Sequence, residues 1–147
     1  MVIPSPYRLS ALPTASGGIA RLAYARCAKA GLNTDMLLRK AGLTRAQIDN
    51  RDIRITVQSQ IKFLDLAAKA LGDEWLGFHL AQAFELRETG LLYYVAASSD
   101  LLCDALQRTA RYSGIHNEGV RLSYRAENQI NMRFSYLGVA PSGPASD

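Results

Sequence analysis

The side chains best suited to hold a small molecule gather in the carboxyl-terminal half of the chain: Tyr93, Tyr94, Arg111, Tyr112 and His116. A tyrosine offers a large apolar ring with one polar handle, and an arginine can grip a carboxylate through two parallel N–H bonds. That set would suit an amphipathic or acidic ligand. Plainer roles compete for the same residues, since Arg111 also fits a solvated helix face, Tyr93 and Tyr94 fit core aromatics, and His116 fits a loop. The other histidine, His79, is expected to pack with Leu76 and Leu80.

A second set, Arg45, Gln47 and Asn50, could read base edges, because residues 35–50 have the outline of a helix, an Ala41-Gly42-Leu43-Thr44 turn and a second helix. A helix-turn-helix normally places a small residue four positions before the turn glycine, so that its helices approach closely. Leu38 stands there, and the second helix is short. The alternative function carried by this segment is a small DNA-binding module.

Catalytic chemistry finds no support. There is no G-x-S-x-G elbow, Walker loop or dinucleotide fingerprint, and neither histidine belongs to a partner motif. The expectation is a protein that is not an enzyme. Cys27 and Cys103 lack C-x-x-C or Cys/His ligand spacing and lie in apolar helical stretches, where a free cysteine acts as a small hydrophobe. Neither a metal nor a cofactor is expected.

Composition bounds the remaining classes. A length of 147 residues with 48% hydrophobic content suits one globular domain with a real core. The net charge of +4 comes from 17 Lys and Arg against 13 Asp and Glu, spread from Arg8 to Arg133 without a basic block. Such spacing gives no electrostatic footprint for nucleic acid. The amino-terminal segment lacks the charged and apolar regions of a signal peptide, and no apolar run reaches the roughly 18 residues needed to cross a bilayer. A cytoplasmic location without membrane contact is expected.

These residues must be positioned by helices first and strands last. Residues 1–16, with Pro4, Pro6 and Pro13, read as a flexible arm. Over 17–30, Ile19, Leu22, Ala23, Cys27 and Ala30 recur near helical spacing, and Gly31 provides a stop. Asn33 caps a second helix, with Leu32 and Leu37 placed as a hydrophobic staple, and Gly42 ends it. Thr44 and Gln47 form a capping box for a third, beginning at Arg45, with Leu43 and Ile48 as its staple. Thr56 caps the clearest amphipathic helix, striped by Val57, Ile61, Leu64, Ala68 and Leu71. Gly72 stops that helix and Asp73 caps its successor, in which Trp75, Leu76, Leu80 and Phe84 supply apolar contacts.

The run Leu91 to Ala97 is apolar throughout and reads as a short buried helix. Ser99 is expected to cap a last helix whose Leu102, Ala105, Leu106, Thr109 and Tyr112 face inward. Beyond Gly114 the period changes from 3.6 to 2. Val120, Leu122 and Tyr124 alternate with polar residues, as do Ile130, Met132, Phe134 and Tyr136, which predicts an antiparallel hairpin turning through residues 126–129. The fold class is therefore α+β, mainly helical with a carboxyl-terminal antiparallel β-hairpin. A disordered tail is expected over 138–147.

Three motifs in order bear a family resemblance: G-L-x-x-x-x-L-L-x-x-A-G-L-T from Gly31 to Thr44, L-G-D-x-x-L-G from Leu71 to Gly77, and A-L-x-x-x-x-R-Y from Ala105 to Tyr112. The set resembles the amino-terminal regulatory, arabinose-binding-type domain of AraC/XylS-type transcription regulators. One departure stands out, since the family commonly has Ser-Pro-Thr-Leu where this chain reads Ser99-Asp100-Leu101-Leu102. Asp100 in a first helical turn suits the helix dipole. The resemblance implies a regulatory domain over 17–137, incomplete on its carboxyl side, that senses a small-molecule effector, forms a homodimer, or both. It implies contact with DNA only through a carboxyl-terminal helix-turn-helix domain absent from this chain. The motif residues themselves read as helix ends and core.

Overall fold

The computed structural model describes residues 12–127 and 129–136. Among the described residues seven α-helices and two small antiparallel sheets run in the order β1 (Thr14–Ala15), α1 (Gly18–Lys29), α2 (Thr34–Ala41), α3 (Arg45–Asp49), β2 (Ile55–Thr56), α4 (Val57–Leu71), α5 (Leu76–Ala83), α6 (Leu91–Ala97), α7 (Leu102–His116), β3 (Val120–Ala126) and β4 (Ile130–Tyr136). A 3-10 turn, Leu86–Thr89, precedes α6. The mainly helical α+β class is the one the periodicities predict.

Local chemistry sets the helix ends in the amino-terminal half. The Asn33 side chain accepts from the Met36 N–H at 3.0 Å, and Thr44 and Gln47 form their reciprocal box at the start of α3. Thr56 accepts from the Ser59 N–H at 3.2 Å at the start of α4. Gly72 closes α4 at φ 64°, a left-handed conformation that a side chain would strain. The following corner is held by Asp73, which accepts from the Trp75 N–H at 3.1 Å, pairs with Arg26 at 3.0 Å and meets His79 Nδ1 at 2.9 Å.

The core lies between α1, α2, α4 and α5. Ala20, Ala23 and Cys27 on α1 and Ala67 on α4 are fully buried, and their small size lets the helices approach around Phe63. Leu37 and Leu38 enter from α2, Leu76 and Leu80 from α5, Ile48 from α3 and Ile55 from β2. Burying one such large side chain contributes about 1.5–3 kcal/mol. Arg21 binds the ends of this half together. Its guanidinium donates to the carbonyls of Ile48 and Gln47, both at 3.0 Å, and to those of Asn50, Ile53 and Ser16. Burial, and secondarily the Arg51 charge, lowers the Arg21 pKa from its ordinary value.

Several expected burials differ. On α1 the expected Ala23 and Cys27 are in the core and Ala20 joins them, while Ile19 and Leu22 pack on its margin and Ala30 is exposed. On α4 the buried line is Val57, Gln60, Phe63 and Ala67, with Ile61, Leu64 and Ala68 on its margin, because packing on α1 and α2 selects the neighbouring face. Trp75 is 71% exposed at the α5 start. His79 pairs with Asp73 rather than packing on Leu76 and Leu80.

The carboxyl-terminal half forms as predicted but is not buried as predicted. Helix α6 leans on α7 and on the 3-10 turn, which leaves Leu91 and Tyr94 exposed. Ser99 does not cap α7, since its hydroxyl donates to the Val95 carbonyl at 3.2 Å and the cap position falls to Leu101. Leu102 is 72% exposed, and Tyr112 is also at the surface. The helix runs past Gly114 to His116, so that His116 is helical rather than in a loop. Strand β3 pairs with β4 from Val120↔Tyr136 to Ala126↔Ile130, and α7 packs on β3. The β4 residues Ile130, Met132, Phe134 and Tyr136 remain exposed. The expected tail over 138–147 lies outside the described residues.

Candidate functional site

Two concave regions lie beside the residues expected to bind a ligand. The larger, of about 790 Å³, is an open groove along α6 and α7, where Arg111 and Tyr112 are joined by Arg108, Asp104, Val95 and Leu91. Arg111 stands 5.6 Å above the Tyr112 ring. Tyr93 and Tyr94 line neither concavity. Their rings meet edge to face at 5.3 Å, and Arg87 lies over Tyr93. Arg111 and Tyr112 thus share the groove, whereas His116, one helical turn beyond Tyr112 on α7, lines a different concavity.

His116 lines the smaller cavity, of about 300 Å³, a cleft open to solvent past Ala81 and Leu86 at the seam between the two halves of the molecule. The seam is built on β1. Thr14 and Ala15 pair with Thr56 and Ile55 of β2, while Ala15 bridges to Asn117 at the end of α7. The Ser16 N–H donates to the His116 carbonyl at 3.0 Å, and the Glu118 N–H donates to the Thr14 carbonyl at 2.9 Å. Arg54 donates to the Thr14 hydroxyl at 2.8 Å and to the Ile115 carbonyl at 2.9 Å. Glu118 returns the contact, its carboxylate accepting from the Thr14 N–H at 2.7 Å and from the hydroxyl at 2.9 Å. These two bonds, the backbone one foremost, hold the Glu118 carboxyl below its ordinary pKa. Gly119 lies so close to Val57 that a Cβ there would sit 2.8 Å from the Val57 Cγ1.

The cavity wall is largely apolar, formed by Ala15, Ile19, Ala81, Phe84 and Leu86. Phe84 meets the His116 ring edge-on at 6.4 Å. Burial, and secondarily the Arg54 charge, pushes the His116 imidazole below its ordinary pKa. The Ser16 hydroxyl shares a hydrogen bond with His116 Nδ1 at 3.2 Å, and Asn117 Oδ1 accepts from the Gly119 N–H at 2.9 Å. Gln60 is different. It is 7% exposed, lines the cavity, and its buried Oε1 has no hydrogen-bond partner among the described residues. A buried acceptor left unpaired costs about 1–3 kcal/mol, and this oxygen has almost no accessible surface, so it is closed to the concavity as well as to solvent. An apolar concavity with a few convergent polar groups has the general character of a ligand site.

Sequence reasoning singled out His116 but missed Gln60, Ser16 and Phe84. Gln60 left a signal: it stands three residues from both Val57 and Phe63, a polar side chain in the register of the buried stripe. The contacts of Ser16 and Phe84 are long-range and left none.

The residues considered for DNA contact are engaged in the amino-terminal half. Arg45 donates to Asp49 at 3.1 Å and to the Tyr24 hydroxyl, Gln47 accepts from the Thr44 N–H at 2.9 Å, and Asn50 Oδ1 accepts from the Asp52 N–H at 2.9 Å. Among the described residues no three His, Cys, Asp or Glu side chains group to hold a metal ion, and no helix is long and apolar enough to cross a membrane. A family model described as the arabinose-binding domain of AraC transcription regulator, N-terminal, matches residues 31–145. No curated protein matches the chain.

Proposed function

This chain belongs to the family of N-terminal arabinose-binding domains of AraC transcription regulators, and on that premise we propose that it senses a small-molecule effector at the seam cavity. The observation that carries the proposal is a largely apolar concavity of about 300 Å³ at the seam on which Ser16, Gln60, His116 and Asn117 converge. A ligand seated there touches Ser16 and His116, which join the two halves. Occupancy then favours the state in which the carboxyl-terminal half is held firmly on the amino-terminal half. Only such differential affinity can shift an equilibrium toward one state. The shifted state is passed to a helix-turn-helix DNA-binding domain that acts with this one.

A thermal-shift panel of alcohols, organic acids, amino acids and sugars tests the proposal on the wild type and on Ala81→Phe, which places a ring at the cavity wall. A ligand present at about 100 times its Kd stabilises by about 2.7 kcal/mol. The expected result is a stabilising compound in the wild type whose effect is lost in the variant. A stabilising compound that ignores Ala81→Phe would put the sensor elsewhere, with the Arg111 and Tyr112 groove as the first alternative.

A homodimer role rests on a separate observation. Strand β4 presents Ile130, Met132 and Phe134 to solvent on the outer strand of its hairpin, and unpaired strand edges invite another strand. A second copy of the same hairpin is the proposed occupant. Sedimentation at rising concentration should show a dimer that Phe134→Lys weakens, and monomers throughout would remove this role.

A further inference from the structure

We infer that the arginine-bearing face of the β3–β4 hairpin is a contact surface for the phosphate backbone of duplex DNA, engaged without base specificity. The inference stands apart from effector sensing and from self-association. It rests on the register of the hairpin and on the family of transcription regulators to which the chain belongs.

The register makes a basic cluster that the linear sequence does not contain. Arg121 and Arg125 lie four residues apart on β3, and Arg133 on β4 pairs with Ser123, midway between them. Side chains alternate between the two faces of a strand, and directly paired residues share a face. All three arginines therefore stand on one face, together with Ser123, Asn131 and Ser135. The opposite face carries Val120, Leu122 and Tyr124 with Met132, Phe134 and Tyr136. Packing separates the two faces as well. Val120, Leu122 and Tyr124 are half-buried where α7 packs on β3, whereas Arg121, Ser123, Arg125, Asn131 and Arg133 are exposed.

The positive charge on this face is not neutralised from within. Among the described residues the ion pairs join Arg26 and His79 to Asp73, Arg45 to Asp49 and Lys69 to Asp65, and none uses an arginine of the hairpin. Strands β3 and β4 hold no Asp or Glu, and Glu127 follows at the turn. With about 3.4 Å per residue along a strand and about 4.8 Å between strands, the three arginines span about 14 Å, with about 8 Å between neighbours. Such a row exceeds the reach of one carboxylate or one phosphate and suits a chain of anions. Guanidinium groups grip phosphate oxygens through paired N–H bonds, and a hydroxyl such as that of Ser123 is a usual neutral partner of the backbone. DNA is the polyanion nearest to hand, since a DNA-binding domain acting with this one raises its effective concentration at the hairpin. An acidic protein segment is the competing occupant.

The test is fluorescence anisotropy of the full chain with a labelled, mixed-sequence duplex of about 20 base pairs, over about 20 to about 200 mM salt. The slope of log K against log salt should be about −2.7, from about −0.9 for each of three phosphates. Arg121→Gln, Arg125→Gln and Arg133→Gln should each reduce its magnitude by about 0.9, and the triple variant should lose binding. Arg133→Lys should keep the wild-type slope, because a phosphate contact reads charge. Arg39→Gln, which removes an exposed charge on α2, should leave the slope unchanged, and polyglutamate should not displace the duplex. No binding at the lowest salt, a slope indifferent to the hairpin substitutions, or an equal fall with Arg39→Gln would overturn the inference. Displacement of the duplex by polyglutamate at equal charge concentration would overturn it in favour of an acidic protein partner. Loss of structure in the triple variant, seen by circular dichroism, passes the decision to the three single variants.

Discussion

Phe63 on α4 and Phe134 on β4 carry the same ring into opposite surroundings, the first with no exposure and the second 55% exposed. The contrast extends to the halves that hold them. From Ala15 to Leu80, apolar residues from every helix and from β1 and β2 are buried, whereas α6, α7, β3 and β4 contain no buried large apolar side chain. Both halves carry regular apolar periodicity, in α4 of the first and in α7, β3 and β4 of the second. The difference shows that periodicity specifies an element and its candidate face, while burial requires a second element to cover that face. The amino-terminal half covers its own faces. The carboxyl-terminal half attaches through a polar seam at β1 and leaves its apolar residues available.

The largest test of this contrast is Phe63→Ala. It should cost about 3–5 kcal/mol, the usual range for emptying such a core site, measured as a fall in the urea midpoint. A cost below about 1 kcal/mol would place the packed core elsewhere. The seam comes next. Gly119→Ala presses a methyl group on the stiff, branched Val57, and overpacking of this kind costs about 1–3 kcal/mol. Its effect should concentrate in faster hydrogen exchange at Ser16 and Glu118, and an unchanged seam would mean that the halves are joined by other contacts.

A smaller effect follows acidification. The folded-state pKa of His116 lies below its ordinary 6.5, so the unfolded chain takes up the proton first. Stability should therefore be full above about pH 6.5 and fall as the pH drops through the folded-state value. Glu118 has the same sign in a lower window, contributing above its ordinary 4.5 and losing that contribution as the pH falls through its depressed folded value. Urea titrations over this range should show two declines, and His116→Gln should flatten the first. Stability that rises on acidification toward pH 5 would contradict the assigned burial of His116.

The smallest effect is expected at Phe134→Ser. An exposed position changes stability by no more than about 0.5 kcal/mol, so the monomer should be unaffected while self-association falls. A large loss of monomer stability would show that β4 is buried after all, and the contrast between the halves would fail.

Much of this architecture was legible in the sequence because its causes are local. Asn33, Thr44 and Thr56 cap their helices through bonds spanning three residues, and the change from a 3.6-residue to a 2-residue period marks β3 and β4. What was not legible depends on distant partners. Arg21 looks like a solvated charge until Gln47, Ile48 and Asn50 bring their carbonyls to it. The seam joins Thr14 to Glu118 across 104 positions, a pairing that no periodicity records. Of the expected ligand residues, His116 reaches the cavity because α7 continues to it, while Tyr93 and Tyr94 turn to each other on the short α6. Gln60 was visible as a polar break in an apolar stripe. Its meaning required the cavity beside it.

The most direct test of the seam as the responsive element is amide hydrogen exchange with and without a compound that stabilises the chain in the thermal-shift panel, at concentrations that saturate its effect. Protection should rise at Ser16, Glu118 and Val120, where β1 joins the end of α7 and the start of β3, with little local change around Val95 and Ser98 in the groove. Protection gained only along the α6 and α7 groove, or none at the seam, would contradict it.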